Sequence, residues 1–151
     1  MSHLDEMKTS MTNKEALITA ICMVMGLTRD QIEVHDKAQA IIGYHNTEDN
    51  KVGHIIVRKQ HTKIPSDIGW EFKDGTYVGH LDAFDYGSYR GRPVYDRKWS
   101  IGLIQRYNIE TTKMTFASKG LVAREVKDAK GRIQLRAFAA KAKAEPLRVH
   151  I

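Results

Sequence analysis

The tripeptide Lys73-Asp74-Gly75 lies between two runs rich in β-branched and aromatic residues, at residues 68–72 and 76–84. An Asp-Gly pair readily adopts the positive backbone φ angles that two-residue hairpin turns require. Strands joined by so short a turn pair antiparallel, because a parallel pair needs a crossover of a dozen or more residues. This turn therefore favours an antiparallel sheet.

Two more pairs of strand-like runs are separated by short stretches of polar or small residues, six in the first pair and five in the second. Residues 40–45 and 52–59 form one pair, and residues 121–126 and 132–138 form the other. A weaker run at residues 4–11 opens the chain. Together with the first hairpin, these runs predict six or seven strands.

The first helical segment begins at a capping-box pattern, in which the Thr12 hydroxyl accepts from the backbone N–H of Glu15. Gly26 supplies the left-handed residue that ends the helix. Apolar residues recur at helical spacing between these points, at Leu17, Ile18, Ile21, Cys22, Val24 and Met25. The width of this stripe predicts a helix buried on much of its circumference.

The second helical segment covers residues 99–118. Asp96 or Ser100 can cap its start, and Gly120 closes it. Its apolar face carries Leu103, Tyr107, Met114 and Ala117. We expect Leu103 and Tyr107 to be buried against the sheet.

The order of these segments predicts an α+β fold, with two helices packed on one face of a single antiparallel sheet. Each half contains a strand, a helix ending in glycine and a hairpin, which favours a βαββ duplication. The 151 residues are 42% hydrophobic and 28% charged, as in soluble globular domains. We therefore expect one domain over residues 1–138 and a basic C-terminal tail over residues 139–151.

Several classes of protein are excluded. Cys22 is the only cysteine, so neither an intrachain disulfide nor a cysteine-cluster zinc site can form. The longest apolar run, residues 16–25, is too short to span a bilayer. The chain does not open with a basic and then apolar leader, which indicates a cytoplasmic protein, or the mature form of an imported one, without a membrane partner. Nucleotide-binding and hydrolase motifs are absent, and no cofactor is expected.

The segment at residues 86–99 interleaves aromatic rings with cationic side chains, and the chain has a net charge of +6. Aromatic rings stack on bases, and arginine forks onto phosphates. The predicted anion-binding or nucleic-acid-binding residues are Tyr89, Arg90, Arg92, Tyr95, Arg97, Lys98 and Trp99. The alternative is a solvated connection whose aromatic rings pack back on the sheet.

His80 and Asp82 lie on the same face of a predicted strand, because side chains alternate. With a third ligand they could hold a metal, and His54, His45 and Asp85 are the candidates. A polar sheet face with a His–Asp hydrogen bond explains the pattern more simply, so we predict no metal site.

The second helix also contains Gln105-Arg106-Tyr107. A tyrosine on the apolar face is favoured as a core residue whose hydroxyl finds a partner at the edge. Gln105 and Arg106 are then the candidates for a partner interface. An open sheet edge could also pair with a second copy of the chain.

Short motifs distributed along most of the chain resemble a known family. They are Met1-Ser2-His3, Met7-Lys8-Thr9, Asp67-Ile68-Gly69, Asp74-Gly75-Thr76-Tyr77, Gln105-Arg106-Tyr107, Lys119-Gly120-Leu121-Val122 and Gly131-Arg132-Ile133-Gln134-Leu135. In this order they resemble the conserved hypothetical chloroplast reading frame thirty-five family of plastids, cyanobacteria and other bacteria. The resemblance implies one compact domain of unknown function and supplies no catalytic residues.

The function predicted from these features is that of a non-enzymatic binding module. Its ligand is either single-stranded nucleic acid, as a polyanion, or a protein partner, bound through residues 86–99 and the open sheet face. The alternative is a small metal- or nucleotide-dependent enzyme that uses His80 and Asp82.

Overall fold

A computed structural model of the chain describes residues 4–8, 11–43, 48–82, 88–89 and 92–139. The chain divides into two compact units, Met1–Tyr107 and Asn108–Ile151. The described residues contain two α-helices and antiparallel strands, so the α+β class is confirmed. His45, Asp85, Arg90 and the tail from residue 140 lie outside the described residues.

The elements follow the predicted order, except that the second strand begins at Glu33 rather than at residue 40, and that two short strands lie within residues 86–99, where none was predicted. The elements are β1 (Leu4–Lys8), α1 (Lys14–Met25), β2 (Glu33–Ile42), β3 (Glu48–Val57), β4 (Ile68–Lys73), β5 (Thr76–Asp82), β6 (Ser88–Tyr89), β7 (Arg92–Pro93), α2 (Arg97–Ser118), β8 (Leu121–Lys127) and β9 (Ile133–Ala139). The first unit ends within α2, which continues into the second unit.

Five strands form one antiparallel sheet in the order β1-β5-β4-β3-β2. The tight turn between β4 and β5 is confirmed, since Asp74 and Gly75 have φ angles of 54° and 82°. The prediction of one sheet with six or seven strands is wrong for the described residues. There, β6 pairs only with β7, and β8 pairs only with β9, in separate two-stranded ladders. The duplication of the two halves stays a prediction.

The core of the first unit joins α1, the first part of α2 and one face of the sheet. Leu17 and Ile21 of α1 and Trp70 of β4 are fully buried in it. Leu103 and Tyr107 belong to the same cluster and are 4% and 6% exposed, which confirms their predicted burial. Full burial of an aliphatic or aromatic side chain contributes about 1.5–3 kcal/mol, so each of these residues contributes to the stability of the unit.

The start of α1 differs from the prediction by one residue. Asn13, not Thr12, is the N-cap, and its Oδ1 accepts from the backbone N–H of Ala16 at 3.0 Å. The hydroxyl of Tyr107 accepts from the backbone N–H groups of Thr12 and Asn13, each at 2.9 Å. In a capping box the N-cap N–H donates to a side chain three residues later, and here the hydroxyl of Tyr107 takes that place for Asn13. The other end is as predicted, with Gly26 left-handed at φ 66°.

Strand β2 is strongly bent, so that both of its ends approach the start of β4. Its first residue, Glu33, pairs with Ile56 of β3, whereas near its last residue the backbone N–H of Ile42 donates to Asp67 Oδ2 at 3.0 Å. The N–H of Asp67 donates in return to the carbonyl oxygen of Ile42 at 2.9 Å. The bent strand therefore covers part of the sheet face opposite α1.

Arg58 and Asp67 form the clamp that holds this bend. Arg58 donates through Nε and Nη2 to the Glu33 carboxylate, and through Nη1 to Asp67 and to the carbonyl oxygen of Ala40, at 2.9–3.0 Å. The Asp67 side chain is 3% exposed and also accepts from the backbone N–H of Lys59. Because the carboxylate is buried, it depends on all of these donors.

Candidate nucleic-acid interface

The second unit contains a regular hairpin packed on the end of α2. All seven residues of β8 pair in unbroken register with those of β9, from Leu121 opposite Ala139 to Lys127 opposite Ile133. Leu135 and Ala137 are buried on one face of the hairpin. Side chains alternate along a strand, so the intervening residues point to the other side. We call this side the outer hairpin face, and it comprises Val122, Arg124, Val126, Gln134, Arg136 and Phe138.

The inner face is joined to α2 by ion pairs as well as by apolar burial. Lys113 of α2 contacts Glu125 of β8 and lies 3.3 Å from Glu110 one turn earlier. Burial lowers the pKa of Lys113, but the hydrogen bond to Glu125 and the Glu110 carboxylate outweigh it, so the pKa is raised. The ammonium group is therefore held charged. Glu110 of α2 and Glu125 of β8 therefore pair with Lys113 on the inner side of the hairpin.

The outer hairpin face places two arginines directly opposite each other. Arg124 of β8 pairs with Arg136 of β9, and both are exposed. Like charges at opposed positions destabilise a strand pair. Neither arginine has an acidic partner among the residues that the structure describes. A bound anion would remove this repulsion.

An aromatic ring lies beside the two arginines. The guanidinium carbon of Arg124 is 5.1 Å from the centre of the Phe138 ring, within the range of a cation–π contact. Val122, opposite Phe138, is 49% exposed. The face therefore combines positive charge with apolar surface, the combination that contacts both phosphates and bases.

The net charge of the protein is concentrated in the same unit. Residues 1–107 contain 14 Lys or Arg and 14 Asp or Glu, whereas residues 108–151 contain ten and four. The first unit is thus neutral, and the second carries the entire +6. A charge confined to one region creates a local positive potential that attracts polyanions.

The residues of segment 86–99 that were predicted to bind nucleic acid differ in exposure, since the two described aromatic rings are packed and Arg97 and Lys98 are exposed. Tyr95 is 3% exposed, and its hydroxyl accepts from the backbone N–H of Lys63 at 2.8 Å. Trp99 is half-buried against the core, with its ring 4.8 Å from that of Tyr95. These two rings are thus occupied by packing. The backbone N–H of Trp99 donates to the Asp96 side chain at 2.9 Å, which confirms Asp96 as the N-cap of α2.

Two of the cationic residues of that segment, Arg97 and Lys98, lie at the start of α2. Arg97 and Lys98 are exposed in the first turn. Tyr89 and Arg92 belong to β6 and β7, but their side chains lie outside the described residues, as does Arg90 entirely. Nucleic-acid binding by these residues stays a prediction.

The candidate interface residues Gln105 and Arg106 lie on the same helix. Gln105 is exposed and Arg106 is half-buried. Ile101 and Ile104, which precede them, are 45% and 38% exposed. The outer surface of α2 in the first unit is therefore partly apolar.

Of the metal candidates, the structure describes the side chains of His80 and His54, and each has its own hydrogen-bond partner. His80 is fully buried, and its Nε2 lies 3.1 Å from Glu71 Oε1. His54 Nδ1 accepts the backbone N–H of Phe72 at 2.9 Å. The side chain of Asp82 lies outside the described residues. In the described part of the chain, no group of three or more His, Cys, Asp or Glu side chains is arranged to hold a metal ion.

The outer hairpin face was missed by the sequence interpretation. The predicted strand ends place residue 126 opposite residue 132, which sets Arg124 against Gln134. In the structure Lys127 pairs with Ile133, so Arg124 lies opposite Arg136. The unequal distribution of charge between the two halves was the signal that could have indicated this region.

Comparisons of the chain with protein-family models, curated proteins and solved structures find no match. The resemblance to the chloroplast reading frame thirty-five family therefore stays a prediction. Across the ranges that the structure describes, no helix is long and apolar enough to cross a membrane.

Proposed function

We propose that this protein is a non-enzymatic module that binds single-stranded nucleic acid through the outer hairpin face. The observation that carries the proposal is the opposed pair of Arg124 and Arg136, which lies in the unit that holds the whole net charge. The repulsion within this pair weakens the free hairpin. Phosphates placed between the guanidinium groups turn that repulsion into two charge-assisted contacts.

Phe138 and Val122 favour a nucleic acid over a simple polyanion. A flexible single strand can turn its bases toward an aromatic ring while its phosphates contact nearby cations. Phe138 lies beside Arg124, so one nucleotide can reach both groups. An acidic protein surface would use the arginines equally well, but it gains less from the ring.

Fluorescence anisotropy with a labelled single-stranded oligonucleotide, measured over a range of salt concentrations, tests the proposal. We expect the affinity of the intact chain to fall as salt rises, with a logarithmic slope of about −0.7 for each phosphate contacted. The double variant Arg124→Gln, Arg136→Gln should reduce the size of that slope by about 1.4. Phe138→Leu should weaken binding by about 1–3 kcal/mol and leave the slope unchanged.

A matched control removes the same amount of charge from the first unit. Lys63 and Lys73 are exposed there, and Lys63→Gln, Lys73→Gln should leave the slope close to that of the parent. Arg97→Gln, Lys98→Gln tests the segment originally predicted. The proposal is wrong if no binding is measured at low salt. It is also wrong if either the control pair or the Arg97 and Lys98 pair changes the slope while the hairpin variants do not.

A protein partner at the start of α2 is the second candidate. The exposed Ile101 and Ile104 lie on the same helix as the exposed Arg97, Lys98 and Gln105, a combination suited to an acidic, amphipathic segment. Ile101→Ser with Ile104→Ser should then weaken one specific protein complex and leave oligonucleotide binding unchanged. Co-purification of the chain with and without these changes, followed by oligonucleotide anisotropy, separates the two candidates.

A further inference from the structure

In the first unit, β2 separates from β3 at His54. Val34 pairs with Ile55, and the next registered pair joins Gln39 to Gly53. Four residues of β2, His35 to Ala38, thus face the single residue His54 on β3. Such bulges bend a strand and redirect its side chains, and they are common beside functional sites.

His54 also marks the point where the pairing of β3 with β4 ends. The last registered pair there is Ile55 with Trp70. Beyond it, the backbone N–H of Phe72 donates to the side-chain Nδ1 of His54 at 2.9 Å. An Nδ1 that accepts a hydrogen bond carries no proton, so the neutral ring has its proton on Nε2. The hydrogen bond to Nδ1 therefore fixes the orientation of the His54 ring and leaves the Nε2–H group as its donor.

A cavity of about 210 Å³ opens at this separation of the strands. It is lined by Lys14, Val34, His35, Asp36, His54, Ile55, Phe72 and Tyr77. A dry cavity of about 150 Å³ can hold benzene, so this volume suits one ring with a short polar substituent. Phe72, one of the larger exposed apolar side chains at 45%, forms part of the wall, with its ring 4.9 Å from that of Tyr77.

The charged groups on the wall are of opposite sign and are not neutralised by each other. Within the described ranges, the side chains of Lys14 and Asp36 have neither a hydrogen bond nor an ion pair. His35, in contrast, is committed to Glu33 at 2.8 Å. The cavity thus offers a cation, an anion and the Nε2–H donor of His54 beside two aromatic rings.

We propose that this cavity binds a small zwitterion with a single apolar ring, of the chemical class of an aromatic amino acid. Lys14 and His54 take the carboxylate, Asp36 takes the ammonium group, and Phe72 and Tyr77 contact the ring. The site lies in the first unit and uses none of the residues of the outer hairpin face. It goes beyond the proposed nucleic-acid binding and is independent of it.

Three probes that differ by one group test the proposal in the full chain. They are L-phenylalanine, 3-phenylpropionate, which lacks the amino group, and phenethylamine, which lacks the carboxylate. Titrations followed by amide chemical shifts should move the signals of the lining residues. We expect L-phenylalanine to bind at least about tenfold more tightly than either analogue, because each loses a charge-assisted hydrogen bond.

Two variants assign the groups. Lys14→Met should remove the preference for L-phenylalanine over phenethylamine, and Asp36→Asn should remove its preference over 3-phenylpropionate. Both side chains are exposed, so neither change should prevent folding, and Lys37→Met, outside the lining, is the matched control. The proposal fails if no probe shifts the lining residues, if 3-phenylpropionate binds as well as L-phenylalanine, or if Lys37→Met has the effect expected of Lys14→Met.

Discussion

The hairpins β2–β3 and β8–β9 have similar sequence signals but opposite structural character. The first is long and irregular, with two breaks in its register, and its residues Ile41, Ile55 and Ile56 are fully buried. The second is regular over its whole length, yet only Leu135 and Ala137 are buried in it. Regular pairing and burial are therefore not correlated in this protein.

The difference shows what each hairpin contributes. The first bends because its far end covers the second face of the sheet, and the loss of regular pairing is offset by the contacts of Arg58 and Asp67. The second keeps a regular ribbon with an exposed, positively charged side. The irregular hairpin contributes buried side chains to the fold, whereas the regular one carries the exposed face that we propose binds nucleic acid.

The largest expected effect comes from removing Asp67, the buried aspartate that holds the bend of β2. Asp67 accepts from the backbone N–H groups of Ile42 and Lys59 and from Arg58, with a side chain 3% exposed. Asp67→Ala leaves these buried donors without an acceptor and should cost about 3–5 kcal/mol. Urea unfolding, followed by circular dichroism, measures the loss.

Asp128→Ala is the matched control in the second hairpin. Asp128 likewise accepts from two backbone N–H groups, those of Lys130 and Arg132, but at an exposed turn. We expect a clearly smaller loss of stability there. Equal losses at the two positions would show that burial is not what separates the hairpins.

A medium effect is expected where the bent strand contacts the sheet. A methyl group added to Gly69 would overlap the side chain of the buried Ile41. Gly69→Ala should cost about 1–3 kcal/mol, because the clash forces β2 away from the sheet. In the background of Ile41→Val, which removes the overlapping methyl group, the same change should cost less, and unfolding of all four proteins measures the coupling.

Gly102 supplies the control for this substitution. It lies inside α2 with open space around its added methyl position. Gly102→Ala should stabilise the protein by about 0.5–1 kcal/mol, because alanine has the higher helix propensity. A loss of stability at Gly102 would contradict the account of Gly69 as a purely steric effect.

The smallest effect concerns pH and the first hairpin alone. Arg58, helped by His35, lowers the pKa of Glu33 from 4.5 to about 2. Because the pKa is lowered on folding, this contribution is complete above about pH 4.5 and is lost as pH falls toward 2. The Glu33 side chain is 39% exposed, so solvent screening limits the contribution to about 1 kcal/mol.

Unfolding of the parent and of Glu33→Gln at several pH values tests this assignment. The stability difference between them should be largest at neutral pH and should disappear near pH 2. A difference that stays constant with pH would mean that Glu33 acts through packing rather than through its charge.

The sequence by itself determined the two helices and the turns of this protein, but not the start of β2, which lies at Glu33 rather than at residue 40. The Asp74-Gly75 turn and the glycines at the ends of α1 and α2 are as predicted, because the residue type determines how readily the backbone adopts a positive φ angle. The burial of Leu103 and Tyr107 also follows from sequence, since helical periodicity selects the face that packs. The charge asymmetry between residues 1–107 and 108–151 was equally readable there.

Only the tertiary structure decided how these elements use their side chains. Tyr95 lies in a segment whose mixture of aromatic and cationic residues predicts a stacking surface. In the structure Tyr95 is buried instead, and its hydroxyl accepts from the backbone N–H of Lys63, 32 residues away in the sequence. Asp67 clamps the bend of β2 through groups that are distant in sequence. Arg124 lies opposite Arg136 because the turn begins and ends one residue later than the sequence predicts. Local propensity does not specify the ends of a turn that closely. Each of these outcomes depends on which distant groups come into contact, and residue patterns along the chain do not encode those distances.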